Sequence, residues 1–269
     1  MGLTPEALIP RVQVNIPFPY LVGRYGSLFL ERGLNPEIGL DARSLSRYPP
    51  RILKGVARRF LAAGRRLTLH APFQDMAPGA LDDLVLAATR TRLRQVCRWL
   101  PVFRPAALVC HLGYEARHYR HARRRWLTRA TGTFRELAQA ARAHDTLLVL
   151  ENVFERGEDK NLFLEVLERA GAPNLKVCLD VGHLLAFGDG DYDGWLAALW
   201  PHLGLLHLHD NDGSHDHHEA LGTGRVPLKF ILDYLAARLP TPPLITLEPH
   251  REGSLEPSLA YLAKIWPWD

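Results

Sequence analysis

Cysteine, methionine and long apolar runs are all scarce in this chain. Its three cysteines, Cys97, Cys110 and Cys178, are odd in number, far apart and free of CxxC spacing. That argues against a disulfide framework and a thiolate zinc cage, and Cys178 reads as a buried structural thiol. Cys178 lies two residues before Asp180 and is expected to face the interior. No uncharged apolar stretch reaches the roughly eighteen residues of a membrane span, and the opening MGLTPEALIPRVQVNIPF lacks the basic head and apolar middle of a secretory signal. The expectation is a cytoplasmic protein without membrane contact. A GxGxxG turn is missing as well: the first strand-like segment runs into PFPYLVGRYG, which disfavours a dinucleotide-binding open sheet. Charge of one sign does not dominate. A net charge of +4 and a pI near 9.1 suit an anionic substrate but fall short of a nucleic-acid track. The basic run Arg117–Trp126 precedes and opens a predicted helix and reads as a solvated helix face.

What is present is a repeated pattern. Short apolar runs end on LTLHAP (His70), LVCHLG (His111), LVLENV (Glu151), VCLDVGH (Asp180, His183), LLHLHD (His207, His209) and LITLEP (Glu248). Each reads as a buried parallel strand. A strongly polar or charged side chain at the end of such a strand is costly unless it is paired, hydrogen-bonded or bound to a cation. A lone histidine there is ordinarily a hydrogen-bonded core residue. Recurrence on strand after strand points to a metal site.

The frame supports that reading. Strand patterns near 12–17, 36–42, 67–72, 107–112, 147–152, 177–182, 205–210 and 244–249 alternate with helical patterns at Tyr20–Arg32, Pro50–Ala63, Ala80–Leu100, Arg120–His144, Asn161–Ala170, Tyr192–Leu203, Pro227–Leu239 and Ser254–Trp266. Eight such units predict one (β/α)8 barrel domain over residues 1–269. Gly33, Gly64 and Gly171 sit where left-handed C-terminal caps are favoured, and Pro50 and Pro227 suit first helical turns. In such barrels chemistry gathers at the C-terminal strand ends, where every ligand-type residue named above lies.

Glu151, Asp180, His207 and Glu248 make a mixed N/O set suited to Mn, Co, Fe or Zn. His70 and His111 can share Glu151, because a carboxylate has two oxygens and can bridge. His183 needs partners of its own, which Asp216 and His218 can supply from the polar loop Asp212–Gly224. That loop closes on GTG, which is expected to let its backbone pass close to a substrate. Asn152, His209, Asp210, Asn211, His250 and Arg251 are candidates for supporting the ligands or touching substrate.

The succession HAP, HLG, EN, DVGH, HLHD, DxH with GTG, and LEP resembles the xylose isomerase-like barrels, and within them the endonuclease IV-type metal enzymes. By motif the resemblance covers Leu67 to Pro249. It implies nine ligands: His70, His111 and Glu151 on one zinc; Glu151, Asp180, His207 and Glu248 on a second; His183, Asp216 and His218 on a third. It implies hydrolysis of a phosphodiester by metal-activated water, with Glu151 and Glu248 at the reacting centre. The sugar epimerases and isomerases of the same superfamily are similar but need one metal on residues matching Glu151, Asp180, His207 and Glu248, with the two glutamates moving protons beside a carbonyl. That chemistry has no use for the His70–His111 pair or for Asp216 and His218.

The chain departs from the DNA-repair pattern at VNIPFP, in its short 207–216 loop, and at His217, where an arginine is usual. An apurinic-site nuclease is therefore disfavoured. A narrower resemblance, in GLNPEIGLDA and LHAPFQDMAPGA, is to the cobamide-remodelling phosphodiesterases, which implies a corrinoid nucleotide loop as substrate. Zinc is the expected ion; no stripe predicts an oligomeric state.

Overall fold

The computed structural model describes residues 3–268. Eight parallel strands, β1 (Gln13–Pro17), β2 (Asn35–Gly39), β3 (Thr68–His70), β4 (Ala107–His111), β5 (Leu147–Glu151), β6 (Leu175–Asp180), β7 (Leu203–Leu208) and β8 (Leu244–Leu247), close in sequence order, with β8 pairing back to β1. Helices cover the outside, as the alternating pattern predicts for a (β/α)8 barrel.

Period-two alternation sorts each strand. Outward residues such as Leu148, Leu150, Leu179 and Leu206 join the large layer between barrel and helices. Inward, Ala107, Val109, Val149, Cys178, Leu205 and Leu244 form a small apolar plug. Above the plug the interior turns polar: Glu37, Thr68 and Thr246 are fully buried, and above them lie the ligand-type side chains. The helices dock through i, i+3/i+4 stripes; Arg123–Arg142 buries Trp126, Leu127, Ala130, Phe134, Leu137 and Ala141. Part of the basic run that precedes and opens this helix is paired, Arg117 with nearby Glu115 and Arg123 with Glu165 of the helix Lys160–Ala170.

Several predicted boundaries move for local reasons. The 20–32 helix is two, Phe18–Val22 and Tyr25–Glu31, interrupted at Gly23. Pro49 and Pro50 separate Ala42–Arg47 from Pro50–Ala62. Pro50 starts its helix as expected, whereas Pro227 sits one place outside, at the cap of Leu228–Ala236. Gly33, Gly64 and Gly171 do adopt positive φ. Strand β6 ends at Asp180, and Val181 and Gly182, expected as strand, begin the helix Val181–Ala186. Among the described residues no helix is long and apolar enough to cross a membrane.

Candidate metal centre

Five of the predicted ligands come directly from strands: His70, His111, Glu151 and Asp180 end β3 to β6, and His207 lies on β7. Glu248 is one residue past β8. Register sets His111 beside Glu151 and Asp180 beside His207. His183 arrives differently. Asp180 caps the helix Val181–Ala186, its Oδ1 accepting the His183 amide at 2.8 Å, so one residue both offers a ligand oxygen and positions the next ligand. Asp216 and His218 come from the loop after β7, where His218 holds a left-handed φ of 48°. A side chain other than glycine in that region costs backbone strain, which is typically retained at functional positions.

Glu151 sits at the junction. Its Oε2 lies 3.0 Å from His70 Nε2 and 3.3 Å from His111 Nε2, while its Oε1 lies 3.3 Å from His207 Nδ1. His207 Nδ1 is also 3.3 Å from Glu248 Oε1 and 3.8 Å from Asp180 Oδ2. Beyond them, Asp216 Oδ2 lies 3.1 Å from His218 Nε2 and 3.4 Å from His183 Nε2. Ligand atoms about 2.0–2.1 Å from a common ion stand about 2.9–3.4 Å apart, so most of these separations are those of neighbours around a cation. The predicted ligands are brought together, but only His70, His111 and Glu151 form one of the implied sets as such; His183, Asp216 and His218 gather with His209, and the implied second set divides among Glu151–Asp180–His183, Asp180–His209–Glu248 and Glu37–His207–Glu248. The two oxygens of Glu151 still face different neighbours.

The histidines are aimed by their second nitrogens. Nδ1 of His70 donates to the Ala71 carbonyl at 2.8 Å, that of His183 to Asn152 at 2.9 Å and that of His218 to Glu248 at 3.1 Å. In each case Nε2 is left facing a carboxylate of the cluster. Orientation of a ligating imidazole through its other nitrogen is the usual support in metal sites. His207 is reversed, with Nδ1 facing the cluster and Nε2 lying 3.0 Å from Glu37.

Charge makes the same point. Among the described residues, Glu37, Glu151, Asp180, Asp216 and Glu248 have no Lys or Arg ion-pair partner; their partners are histidines. Burial pushes the carboxyls of Glu151, Asp180 and Asp216 up, but the adjoining histidines outweigh it and hold all three well below the usual range. Reciprocally, burial pushes His183 down, yet Asp180 and Asp216 bring it up to about 10, and His207 rises above its ordinary value through Cys178, Glu248, Glu37 and Glu151. Two groups go the other way: burial pushes the Glu248 carboxyl up and the His111 imidazole down. Asp180 Oδ2, Asp216 Oδ1 and both ring nitrogens of His207 are buried without a hydrogen-bond partner, which is costly for groups of this polarity. The donor set, the orphaned atoms and the aimed histidines all fit divalent cations.

The match that decides kinship runs over residues 36–265, which fit the xylose isomerase-like TIM barrel family. The chain belongs to that family. Among solved structures, the xylose isomerase-like barrel here is similar to a D-tagatose 3-epimerase-like protein (20% identity, TM-score 0.78, 94% of this chain and 97% of that one). It is also similar to the TTHB071 protein of Thermus thermophilus, from a crystal soaked in zinc chloride (25% identity, TM-score 0.73, 95% and 97%). A sequence relative is the uncharacterized protein MJ1311 of Methanocaldococcus jannaschii, 24% identical over 63% of this chain and 59% of that protein. The chain thus spans about three-fifths of the length of the curated relatives it matches.

In this family member the remaining sequence candidates divide. Asn152 clamps Asp180, its side chain donating to the Asp180 carbonyl at 3.0 Å and accepting from its amide at 2.8 Å. Asn211 donates to the Gly182 carbonyl at 3.0 Å. His209 Nε2 lies 3.1 Å from Asp180 Oδ1 and 3.5 Å from Asp216 Oδ1, joining the second and third sets. Its ring rests on Gly182, where any Cβ would come within 2.0 Å of it. It also stacks on His218 at 3.8 Å, and His218 stacks on His250 at 3.6 Å. Burial and the His218 charge push His250 down to about 4. Arg251 is exposed and lines a 220 Å³ groove that adjoins the ligand cavity at His218.

The GTG expectation needs correction. Gly222 and Gly224 do not line the ligand cavity; their amides each donate to Asp210 Oδ2 at 2.9 Å, and a Cβ on Gly224 would lie 2.4 Å from the Asn211 carbonyl. The glycines let the loop wrap a buried carboxylate, and Asp210 anchors it.

Sequence reasoning missed two buried glutamates. Glu37 lies in mid-strand, and Glu155 ties the loops after β4 and β5 together by accepting from Tyr114 N at 3.1 Å and Val153 N at 2.7 Å. Burial pushes Glu155 from 4.5 up to about 7, against the opposing pull of these amides and with help from Asp159. The folded state therefore favours its protonated form, and this stability is full below pH 4.5 and lost as pH rises through 7. Glu155→Gln is expected to remove about 3 kcal/mol of pH-dependent stability between pH 4.5 and 8, read from denaturant midpoints. An unchanged slope would contradict this account of the loop.

Proposed function

We propose that this chain is a metal-dependent phosphodiesterase with a three-ion centre. One observation carries the reading: Glu151 turns its two oxygens to different ligand sets, and a third set, His183, Asp216 and His218, adjoins them. Bound divalent ions would activate water and neutralise charge on a phosphoryl group. The chain's own residues shape the rest. A cavity of about 1000 Å³ opens over the ligands, with Phe73, Phe154, Phe187, Pro17 and Pro72 on its wall. Arg43 is the one Lys or Arg in that described lining. A polyanionic strand would want more positive charge along its track, so the cavity favours a single phosphodiester flanked by bulky, weakly polar groups. The nucleotide loop of a cobamide is the specific candidate, and DNA is disfavoured.

A second reading is favoured by the solved relative named a D-tagatose 3-epimerase-like protein. Glu151 and Glu248 each place an oxygen 3.3 Å from His207 Nδ1, a pairing that suits two carboxylates moving protons beside a carbonyl at a single ion.

One preparation tests both. Protein purified without chelator is expected to carry about three transition-metal ions per chain, and to cleave bis(p-nitrophenyl) phosphate and the nucleotide loop of a B12-type cofactor while leaving an abasic duplex intact. A single Mn or Co, with epimerisation of a free ketose and no diester cleavage, would replace the first reading by the second.

A further inference from the structure

Glu37 is fully buried in the middle of β2, on the interior face, one layer beneath the ligands. Its carboxylate has company on every side. Oε2 accepts Thr246 Oγ1 at 2.8 Å and Thr68 Oγ1 at 3.2 Å; Oε1 accepts Asn15 Nδ2 at 3.2 Å and lies 3.0 Å from His207 Nε2. Strand register builds this pocket, since Thr68 is the partner of Glu37 across β2–β3 and Thr246 the partner of His207 across β7–β8. Three side chains from three strands therefore hold one carboxylate against the edge of one imidazole.

A scaffold has little reason to bury an anion in this way. Removing a carboxylate from water is costly, and the two threonines and an asparagine bring dipoles but no charge. His207 is the one ionisable group in direct contact with Glu37 among the described residues. On the far side of that ring, Nδ1 faces Glu151, Glu248 and Asp180. A neutral imidazole with its proton on Nε2, toward Glu37, presents a lone pair to those three carboxylates, an arrangement that favours a cation between them. The opposite tautomer would turn its lone pair on Glu37 and an N–H on the place where an ion belongs.

We infer that Glu37 is a positioning residue for the metal ligand His207, fixing the ring so that Nδ1, not Nε2, faces Glu151, Asp180 and Glu248. The inference rests on the metal-binding reading of the site and is independent of whether the reaction is hydrolysis or isomerisation. Glu37 is not in the described lining of the cavity; it acts through His207.

The test is Glu37→Gln, which keeps the shape and one acceptor oxygen but removes the charge. Zinc and manganese dissociation constants, measured by competition with a chelating dye on wild-type and variant protein, are expected to show one class of site weakened about 10–100-fold and the others unchanged. In the zinc-loaded protein the resonance of the His207 Nε2 proton is expected to move upfield in the variant, as the carboxylate 3.0 Å away loses its charge. If wild type binds no metal, the reading of the site fails. If wild type binds metal and Glu37→Gln binds it equally well, with only the melting temperature of the metal-free protein lowered, Glu37 is a structural residue and the inference is overturned. Equal weakening of every site would overturn it too. Should the variant not fold, Thr246→Val, which removes one anchor of Glu37 and leaves the His207 contact, is expected to weaken the same class several-fold, and unchanged binding there refutes the inference.

Discussion

Glu151→Gln is expected to abolish turnover, by on the order of 10³-fold or more, and to lose the ions of two ligand sets together while the fold persists. The reasoning starts from the two oxygens. Oε2 is shared by His70 and His111, and Oε1 faces His207. An amide offers one neutral oxygen and one N–H₂, so it can neither bridge nor supply negative charge to two cations. A loss of 10³ in rate corresponds to about 4 kcal/mol, which is within what a metal ion supplies to a charged transition state. The barrel should tolerate the change: Glu151 ends its strand and its neighbours Leu148 and Leu150 keep their packing. Elemental analysis beside circular dichroism checks the expectation. A folded variant that kept all its metal and turned over at the wild-type rate would remove Glu151 from the centre.

How far the sequence alone leads depends on what kind of signal each residue leaves. Strand-end ligands are legible because an apolar run fixes the strand, period-two alternation fixes the face, and parallel order fixes the end at which it stops. His70, His111, Glu151, Asp180 and His207 follow from that logic. Glu37 does not, because attention to strand ends passes over a carboxylate in mid-run; its trace is a charged residue on the inward face of a buried strand, with Thr68 two before His70 and Thr246 two before Glu248. The DVGHLL segment misleads differently. Its apolar continuity extends the strand pattern to 182, while the capping power of Asp180 starts a helix at Val181. Gly222 and Gly224 are visible as a tight turn, but whether a turn closes on a substrate or on the protein's own carboxylate depends on where Asp210 ends up. Loop composition carries the ligand types and not their destination.

The third ligand set separates the two chemistries most sharply. Asp216→Ala and His218→Ala are each expected to lower the metal content by one ion per chain, leave the melting temperature within a few degrees of wild type, and reduce diester cleavage by about 10²-fold or more. Asp216 Oδ2 is the contact common to His183 and His218, at 3.4 and 3.1 Å, so removing either residue breaks the set. Asp216 and His218 lie on a loop whose anchor is Asp210, with amides of Gly222, Gly224 and Val226 on its carboxylate. Truncation at 216 or 218 leaves that anchor whole, which is why the fold should survive. His218→Ala keeps a Cβ, and with it the strain, in the left-handed region, while taking the middle ring out of the His209–His218–His250 stack, a small loss of stability. An isomerase working with one ion on Glu151, Asp180, His207 and Glu248 has no need of this set, and its activity on a ketose would survive both substitutions. Diester cleavage at the wild-type rate in either variant would take the third ion out of the mechanism. Loss of cleavage with the first two ions retained would assign it a direct part in neutralising the phosphoryl group.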